Sequence, residues 1–279
     1  MVENSFVAGK DEYLDPGYDA VTPDGDNLLL DFARAEVEGW KRWADAAGGR
    51  HGASAELGVT WVDTGCQSVF GNPSHWSRPL QANEANEAID MLEAGYGGGV
   101  GGPYVIFSAF PTPDLRGRGL GAVGHPPLMV RPPADHSIPH RPPHLHIERV
   151  KTPQHLAHFE QTIVESFPVE ELLPWQNGTF VPAGLLNEDA WHLFVGYDEG
   201  KPVATAAAFV SDHVVDVTWV SCQEASRRQG FGEAMTWAAT LTDPGKPALL
   251  IASDDGRSLY QRMGYLTMSR YSIWVGQRP

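Results

Sequence analysis

The spacing of apolar residues in the first half of the chain predicts two amphipathic helices and three short strands. Residues 28–49 and 83–99 each place apolar side chains at helical spacing and end at glycines, as amphipathic helices commonly do. Shorter apolar runs predict strands at residues 58–65, 68–72 and 103–110. Helices that alternate with strands indicate an α/β pattern. The glycine-rich residues 95–102 predict a turn or mobile loop without a phosphate-binding motif.

The second half has a different order of elements. A strand at residues 144–150 is followed by Thr152 and Pro153, a suitable N-cap and first helical residue, and then by apolar positions at helical spacing. Residues 191–222 predict three antiparallel strands, the first two joined by a tight turn at Asp198, Glu199 and Gly200. A helix, a strand, a short helix and a β-rich end follow. The order is therefore β, α, several antiparallel β, then βαβαβ.

A proline-rich segment separates these halves. Residues 128–144 read LMVRPPADHSIPHRPPH, and this many prolines predict neither a helix nor a central strand. The segment is interpreted as an interdomain linker that spans residues 131–143. Its histidines, His136, His140 and His144, are four residues apart, but the prolines between them exclude the helix that would align them as metal ligands.

Composition narrows the class of protein. At 279 residues the chain is long enough for two domains, and no apolar run approaches the length of a membrane span. The polar, acidic start and this absence predict a cytoplasmic protein without membrane contact. Two cysteines, Cys66 and Cys222, lie in different halves, which argues against disulfides and thiolate metal sites, so no metal is expected. A net charge of −15 disfavours nucleic acid. It suits a cationic acceptor, although solubility alone also explains it.

One motif carries recognisable chemistry. A strand runs through Val220 to Cys222 into residues 227–232, RRQGFG, and directly into a helix. Two glycines allow a tight turn and a close approach of the backbone to an anion, while the free amides and dipole of the helix N-terminus attract negative charge. Arg227 and Arg228 can add charged hydrogen bonds to phosphate. The segment predicts an anion-binding site.

The order of elements around this motif resembles the GNAT superfamily of N-acetyltransferases. A second matching signature, Leu-Tyr-x-x-Met-Gly-Tyr, occupies residues 259–265, and the resemblance covers roughly residues 144–279. It implies an acetyl-CoA cosubstrate and no metal. The implied cofactor-binding residues are Val220, Ser221, Cys222, Arg227, Arg228, Gln229, Gly230, Phe231, Gly232, Glu233 and Ser253. Two departures, Ser253 for a common Asn and Glu224 for a common Pro, weaken contacts expected near those positions.

The resemblance also implies catalytic roles. Tyr260 matches the position of the general acid that protonates the leaving thiolate, and Asp216, fourteen residues before Gly230, matches a position where some members place a base. Packing alone is the competing interpretation of both side chains. His213 and Glu224 are weaker candidates for the base. Cys222 lacks an evident base, so it is interpreted as a backbone contributor whose amide serves the oxyanion rather than as a nucleophile.

The first half contains a second copy of the glycine pattern, residues 116–121, RGRGLG. Pro126 and Pro127 follow too closely for a helix, so this copy is not expected to bind an anion. It resembles instead the helix-to-strand junction of the second half, with residues 124–130 as the last strand of a degenerate GNAT-like lobe. An unrelated α/β domain is the alternative.

The predicted fold class is α/β (α+β), with two GNAT-like lobes, each a mixed, mainly antiparallel sheet flanked by helices. The predicted domains are a degenerate lobe at 1–130, the linker, and a catalytic lobe at 144–279. The predicted function is direct acetyl transfer from acetyl-CoA to the amine of a small acceptor by a monomer or homodimer. A CoA-binding sensor without turnover is the alternative, and a third hypothesis makes both lobes catalytic, with two cofactors per chain.

Overall fold

A computed structural model describes residues 28–133 and 141–278 of the chain. The helices are α1 (Leu28–Ala47), α2 (Ala82–Tyr96), α3 (Pro153–Ser166), α4 (Phe231–Thr240) and α5 (Asp254–Arg262). The strands are β1 (Arg50–Ser54), β2 (Val59–Asp63), β3 (Pro73–Trp76), β4 (Tyr104–Ser108), β5 (Gly121–Gly124), β6 (Pro127–Arg131), β7 (Leu145–Arg149), β8 (Trp191–Asp198), β9 (Lys201–Val210), β10 (Val215–Cys222), β11 (Ala248–Ile251), β12 (Leu266–Arg270) and β13 (Ser272–Gly276). None of these helices is both long enough and apolar enough to cross a membrane.

The strands form two sheets with the same internal plan, which confirms the predicted fold class. The first sheet has the order β1-β2-β3-β4-β13-β5, and the second has the order β12-β6-β11-β10-β9-β8-β7. In each sheet three consecutive antiparallel strands lead through a helix to a fourth strand that pairs parallel with the third. The second sheet carries one further edge strand, β7.

The two halves of the chain exchange one strand each. Strand β6 of the first half lies between β11 and β12, and β13 from the end of the chain lies between β4 and β5. The interpretation of residues 124–130 as the last strand of the first lobe is therefore wrong. So is the exclusion of a central strand from residues 128–131, because the linker prolines begin only at Pro132. The domain division at 130 and 144 stays a prediction, and β6 and β13 both pair across it.

Local chemistry explains where the helix and turn predictions hold. Thr152 caps α3 by accepting the N–H of His155, and Pro153 is the first helical residue. Between β8 and β9, both turn residues have positive φ, 49° at Glu199 and 79° at Gly200, as the tightest hairpins require.

The predicted strand at residues 68–72 is wrong. The side chain of Ser68 accepts the N–H of Phe70 and starts a short 3-10 turn, while the buried amide of Asn72 donates to the carbonyls of Cys66 and Pro103 at 2.9 and 3.0 Å. Side-chain hydrogen bonds of this kind compete with strand pairing. Strands β1 and β3, which pair with β2 on either side, are not predicted from the sequence, because neither shows a clean alternation of apolar and polar residues.

Helix α1 packs against both sheets. Its buried Trp43 packs against Trp191 and Trp219 of the second sheet, with ring centroids 5.2 and 6.0 Å apart. The indole N–H of Trp191 donates to the carbonyl of Gly39 at 3.1 Å. A hydrophobic core that includes Phe32, Trp43 and Trp219 is therefore continuous between the halves.

The glycine-rich segment around Gly99 encloses an ion cluster. Arg278 donates to both carboxylate oxygens of Asp63, at 2.7 and 2.9 Å, and Arg50 donates to the same carboxylate at 2.7 Å. A Cβ at Gly99 or Gly101 would collide with the Arg278 guanidinium. These glycines therefore serve packing, and they let a residue near the end of the chain reach the first sheet.

Candidate functional site

Strands β10 and β11 separate partway along their length. They pair only at Val215 with Ala248 and at Asp216 with Leu249, although β10 continues to Cys222. A bulge follows Thr218, where Trp219 has a φ of 53°. Beyond Asp216, β10 therefore presents backbone groups to an opening that β11 does not fill.

The predicted pantetheine-binding residues, Val220, Ser221 and Cys222, lie along this unpaired segment. The hydroxyl of Ser221 hydrogen-bonds to Thr205 and Ser166 at 2.8 and 2.9 Å, so its side chain is engaged within the protein. Burial raises the pKa of the Cys222 thiol to about 11, which keeps it protonated and argues against a nucleophile. Backbone groups are what this segment offers.

The glycine motif forms the loop that enters α4. Gly230 is the residue before the helix and has a φ of 82°, and Arg228 has a φ of 62°. The first helical backbone hydrogen bond runs from the N–H of Ala234 to the carbonyl of Gly230. Among the described residues, no acceptor is found for the backbone N–H groups of residues 228–233. This row of free donors at a helix N-terminus is an arrangement that binds anions.

Side chains around the loop divide into exposed and core groups. Arg227, Arg228 and Gln229 are exposed, and Arg227 donates to the carbonyl of Cys222 at 3.2 Å. Phe231 is buried and its ring makes a T-shaped contact with His144. Its backbone N–H is therefore the only group that it offers to an anion. Glu233 lies in the first turn of α4. Its backbone N–H can donate to an anion, whereas its carboxylate would repel one.

Helix α5 approaches the start of α4. The nearest neighbour of a Cβ added at Gly232 would be Leu259, at 3.8 Å, which places the next residue, Tyr260, close to the glycine loop. Burial raises the pKa of Tyr260 to about 12, and its hydroxyl has no hydrogen-bond partner among the described residues. Ser253 caps α5 by accepting the N–H of Gly256, so its contact with a cofactor stays a prediction.

Asp216 lies at the apex of the opening and is 7% exposed. Burial, and then the nearby carboxylate of Glu36, raise its pKa well above the ordinary value. Sequence reasoning missed Glu36, which comes from α1 in the other half of the chain. The weaker base candidates, His213 and Glu224, are exposed on turns.

The second glycine pattern does not form an anion site. Residues 116–118 make a 3-10 turn that leads to β5, not to a helix, and Arg118 is bound by Asp90 at 2.6 Å. Gly119 and Gly264 both end their turns with positive φ, 80° and 87°, which supports the predicted equivalence of the two junctions. Leu115 and Tyr260 each lie four residues before these glycines, so Leu115 is the equivalent of Tyr260 in the first half.

The strand-to-helix loop of the first sheet is also closed. Residues 77–81 contain no glycine, and α2 begins with a capping box in which Glu84 accepts the N–H of Gln81 at 2.8 Å. Arg78 binds the same carboxylate at 2.7 Å. Residues 28–133 and 141–278 contain no cluster of three metal-ligating side chains, and the absence of a metal stays a prediction.

Solved structures share this two-lobed architecture. A GCN5-related N-acetyltransferase from Kribbella flavida is 20% identical, with a TM-score of 0.66 over 89% of this chain and 95% of its own. A GCN5-related N-acetyltransferase from Sphaerobacter thermophilus is 13% identical, with a TM-score of 0.53 over 90% and 94%. A tandem GNAT protein from the clavulanic acid biosynthesis pathway is 7% identical, with a TM-score of 0.50 over 78% of each chain. No protein-family model and no curated protein sequence matches this chain. The chain therefore has the GNAT fold in its two-lobed, tandem form.

Proposed function

We propose that this chain is an acetyl-CoA-dependent N-acetyltransferase with one cosubstrate site, located in the second sheet. The observation that carries the proposal is the continuity between the opening after Asp216 and the free amides at residues 228–233. The amides provide a place for a diphosphate, and the unpaired edge of β10 provides backbone groups for the arm that extends from it. The solved structures of the same fold support acetyl transfer as the reaction class.

The chemistry assigned to the site is direct transfer. The acceptor nitrogen loses a proton to Asp216 and forms a bond to the acetyl carbon, and the carbon–sulfur bond then breaks. The amide of Cys222 stabilises the negative oxygen between these steps. Tyr260 donates its proton to the leaving thiolate. Its pKa of about 12 keeps the phenol protonated at neutral pH, as a donor must be.

The acceptor is proposed to be a small cationic amine, because the chain carries a net charge of −15. The net negative charge disfavours nucleic acid as a partner. The protein is further proposed to be cytoplasmic and to act as a monomer or homodimer without membrane contact. The first sheet is proposed to bind no acetyl-CoA, since its strand-to-helix loop lacks glycines and its helix start is already capped.

Isothermal titration with acetyl-CoA, followed by thiol release against a panel of amines, tests this function. One molecule bound per chain and release on an amine are expected. Binding without release on any amine favours the CoA-binding sensor, and two molecules per chain favour two active lobes. No binding means that residues 227–232 do not form a cosubstrate site.

A further inference from the structure

Four buried polar side chains from both halves of the chain meet between the sheets. Glu36 comes from α1, His75 from β3, Asp216 from β10, and Tyr271 from the residue before β13. Their exposed fractions are 8%, 2%, 7% and 1%. Phe32, one turn before Glu36, meets the ring of Tyr271 edge-on at 6.1 Å, and Phe107 stacks on His75 at 5.5 Å. The four side chains are called the interlobe cluster below.

Three of the four side chains in the interlobe cluster have polar atoms without partners in the part of the chain that the structure describes. Within the described residues, Glu36 Oε2, both ring nitrogens of His75 and the Tyr271 hydroxyl make no hydrogen bond. His75 Nδ1 lies 3.6 Å from Glu36 Oε2, which is too far for one. A buried polar atom without a hydrogen bond destabilises the folded protein. Three such side chains beside the buried carboxyl of Asp216 indicate a site prepared for a ligand, because apolar residues would fill the same space without leaving polar atoms unpaired.

The charges of the interlobe cluster select a cation. Glu36 and Asp216 are both buried, on the packed elements α1 and β10. Burial, and then the charge of Glu36, raise the pKa of Asp216, and a positive ligand relieves the repulsion between the two carboxylates. Trp40 lies one turn after Glu36 on α1, and its ring centroid is 6.0 Å from that of Trp219 on β10. Carboxylates and aromatic faces together suit an ammonium group on a carbon skeleton.

The position of Asp216 connects this cluster to the reaction. Asp216 is also the last residue of β10 that pairs with β11, so the cluster adjoins the opening proposed for the acetyl-CoA arm. We propose that the interlobe cluster binds the ammonium group of the acceptor, so that Glu36 and His75 of the first half select the substrate of the second. This inference rests on the proposed function and adds to it the site and charge class of the acceptor.

Glu36→Gln tests the inference, because it keeps the size of the side chain and removes its charge. The matched control is Glu38→Gln on the same helix, since Glu38 is half exposed and pairs with Arg42 at 2.9 Å. Ethylammonium, putrescine and spermidine are the probes, each added to protein saturated with acetyl-CoA or CoA. We measure thermal stabilisation with CoA, and KM and kcat for the amine with acetyl-CoA.

The unsubstituted protein is expected to be stabilised by at least one probe. Glu36→Gln is expected to raise KM for that amine at least tenfold, to abolish the stabilisation, and to leave acetyl-CoA affinity within twofold. Glu38→Gln is expected to change none of these. Because Glu36→Gln removes repulsion between carboxylates, its melting temperature without the amine should not fall. If it falls, Tyr271→Phe provides the second variant and should weaken amine binding several-fold.

Several results would overturn the inference. Stabilisation by no probe, or an amine KM unchanged in both Glu36→Gln and Tyr271→Phe, would mean that the cluster holds only water or a shared proton. These results differ from a failure of the proposed function, which would appear as absence of acetyl-CoA binding in the unsubstituted protein.

Discussion

The two lobes have the same order of strands but differ at the loop between the third strand and its following helix. In the first sheet, β3 reaches α2 through residues without glycine, and Glu84 already accepts the N–H of Gln81. In the second sheet, Gly230 turns the chain into α4 and the first amides of the helix have no acceptor in the described residues. A fold can therefore be repeated while the equivalent loop lacks the glycines and leads into a capped helix.

The lobes also differ in what they contribute to each other. The first gives α1, with Trp43 and Glu36, to the face of the second sheet that carries Asp216, and it gives β6 to the middle of that sheet. The second lobe contributes β13 to the first sheet. Each sheet is completed by a strand from the other half of the chain, so the first lobe contributes structure to the second.

The exchange can be tested at Trp274 in β13. Its side chain is buried in the core of the first lobe, and its indole donates to Thr112 at 2.8 Å. Trp274→Ala should lower the free energy of unfolding by about 4 kcal/mol. Because β13 joins the lobes, calorimetry should show one transition that shifts as a whole. The exposed Val123 provides a control, since Val123→Ala should have little effect. Two transitions with only one displaced would show that the lobes unfold separately.

The difference between the two strand-to-helix loops can be tested by introducing one negative charge at the equivalent helix position in each lobe. Gly232 is the second residue of α4 and Asn83 the second residue of α2. Gly232→Asp should weaken acetyl-CoA binding by 100- to 1000-fold, or about 3 to 4 kcal/mol, because the new carboxylate would repel the diphosphate at the proposed site. Asn83→Asp should leave affinity unchanged.

Stability separates this effect from unfolding. Both new carboxylates lie at helix N-termini, where negative charge is favourable, and a Cβ at Gly232 meets only Leu259 at 3.8 Å. Neither melting temperature should therefore fall in thermal denaturation without ligand. Equal weakening of acetyl-CoA by both variants in calorimetric titration would contradict the assignment of one site.

The second equivalent pair of positions is Tyr260 and Leu115, and only the first carries a hydroxyl. Tyr260→Phe should lower kcat about 100-fold with acetyl-CoA affinity unchanged, because the phenol acts only as thiolate leaves. Tyr265→Phe is the matched control. Its hydroxyl hydrogen-bonds to Thr240 at 2.6 Å, so its loss should lower stability by about 1 kcal/mol without reducing turnover. Steady-state rates and urea denaturation measure both, and unchanged kcat in Tyr260→Phe would remove the acid assignment.

Local features of this molecule could be predicted from sequence, and contacts between distant residues could not. The conformation of the loop at Gly230 depends on its own residues and their immediate neighbours, so the loop could be predicted from the sequence pattern. Glu36 and Asp216 are 180 residues apart, and nothing in either segment indicates that α1 covers β10. Strands β6 and β13 have the apolar character of any buried strand, which does not reveal the sheet they join.

The smallest expected effect concerns the ion cluster that fixes the end of the second half to the first lobe. Burial of Asp63 raises its pKa, but hydrogen bonds from Arg278 and Arg50 lower it more, from 3.8 to about 2. A carboxyl with a depressed folded-state pKa stabilises the protein above pH about 4, and the stabilisation is lost as pH falls toward 2. Asp63→Asn should cost roughly 2 kcal/mol at neutral pH, and its unfolding free energy should converge with that of the unsubstituted protein near pH 2.

Asp114 distinguishes this buried pair from an exposed one with a similar pKa. Arg116 lowers the pKa of Asp114 to about 2 as well, yet both side chains are more than half exposed, where water and salt screen the charges. Urea denaturation between pH 2 and 7 should therefore show a pH-dependent difference for Asp63→Asn and almost none for Asp114→Asn. If the two variants behave alike, the glycine segment around Gly99 does not shield the Asp63–Arg278 pair, and the chain end contributes little to joining the lobes.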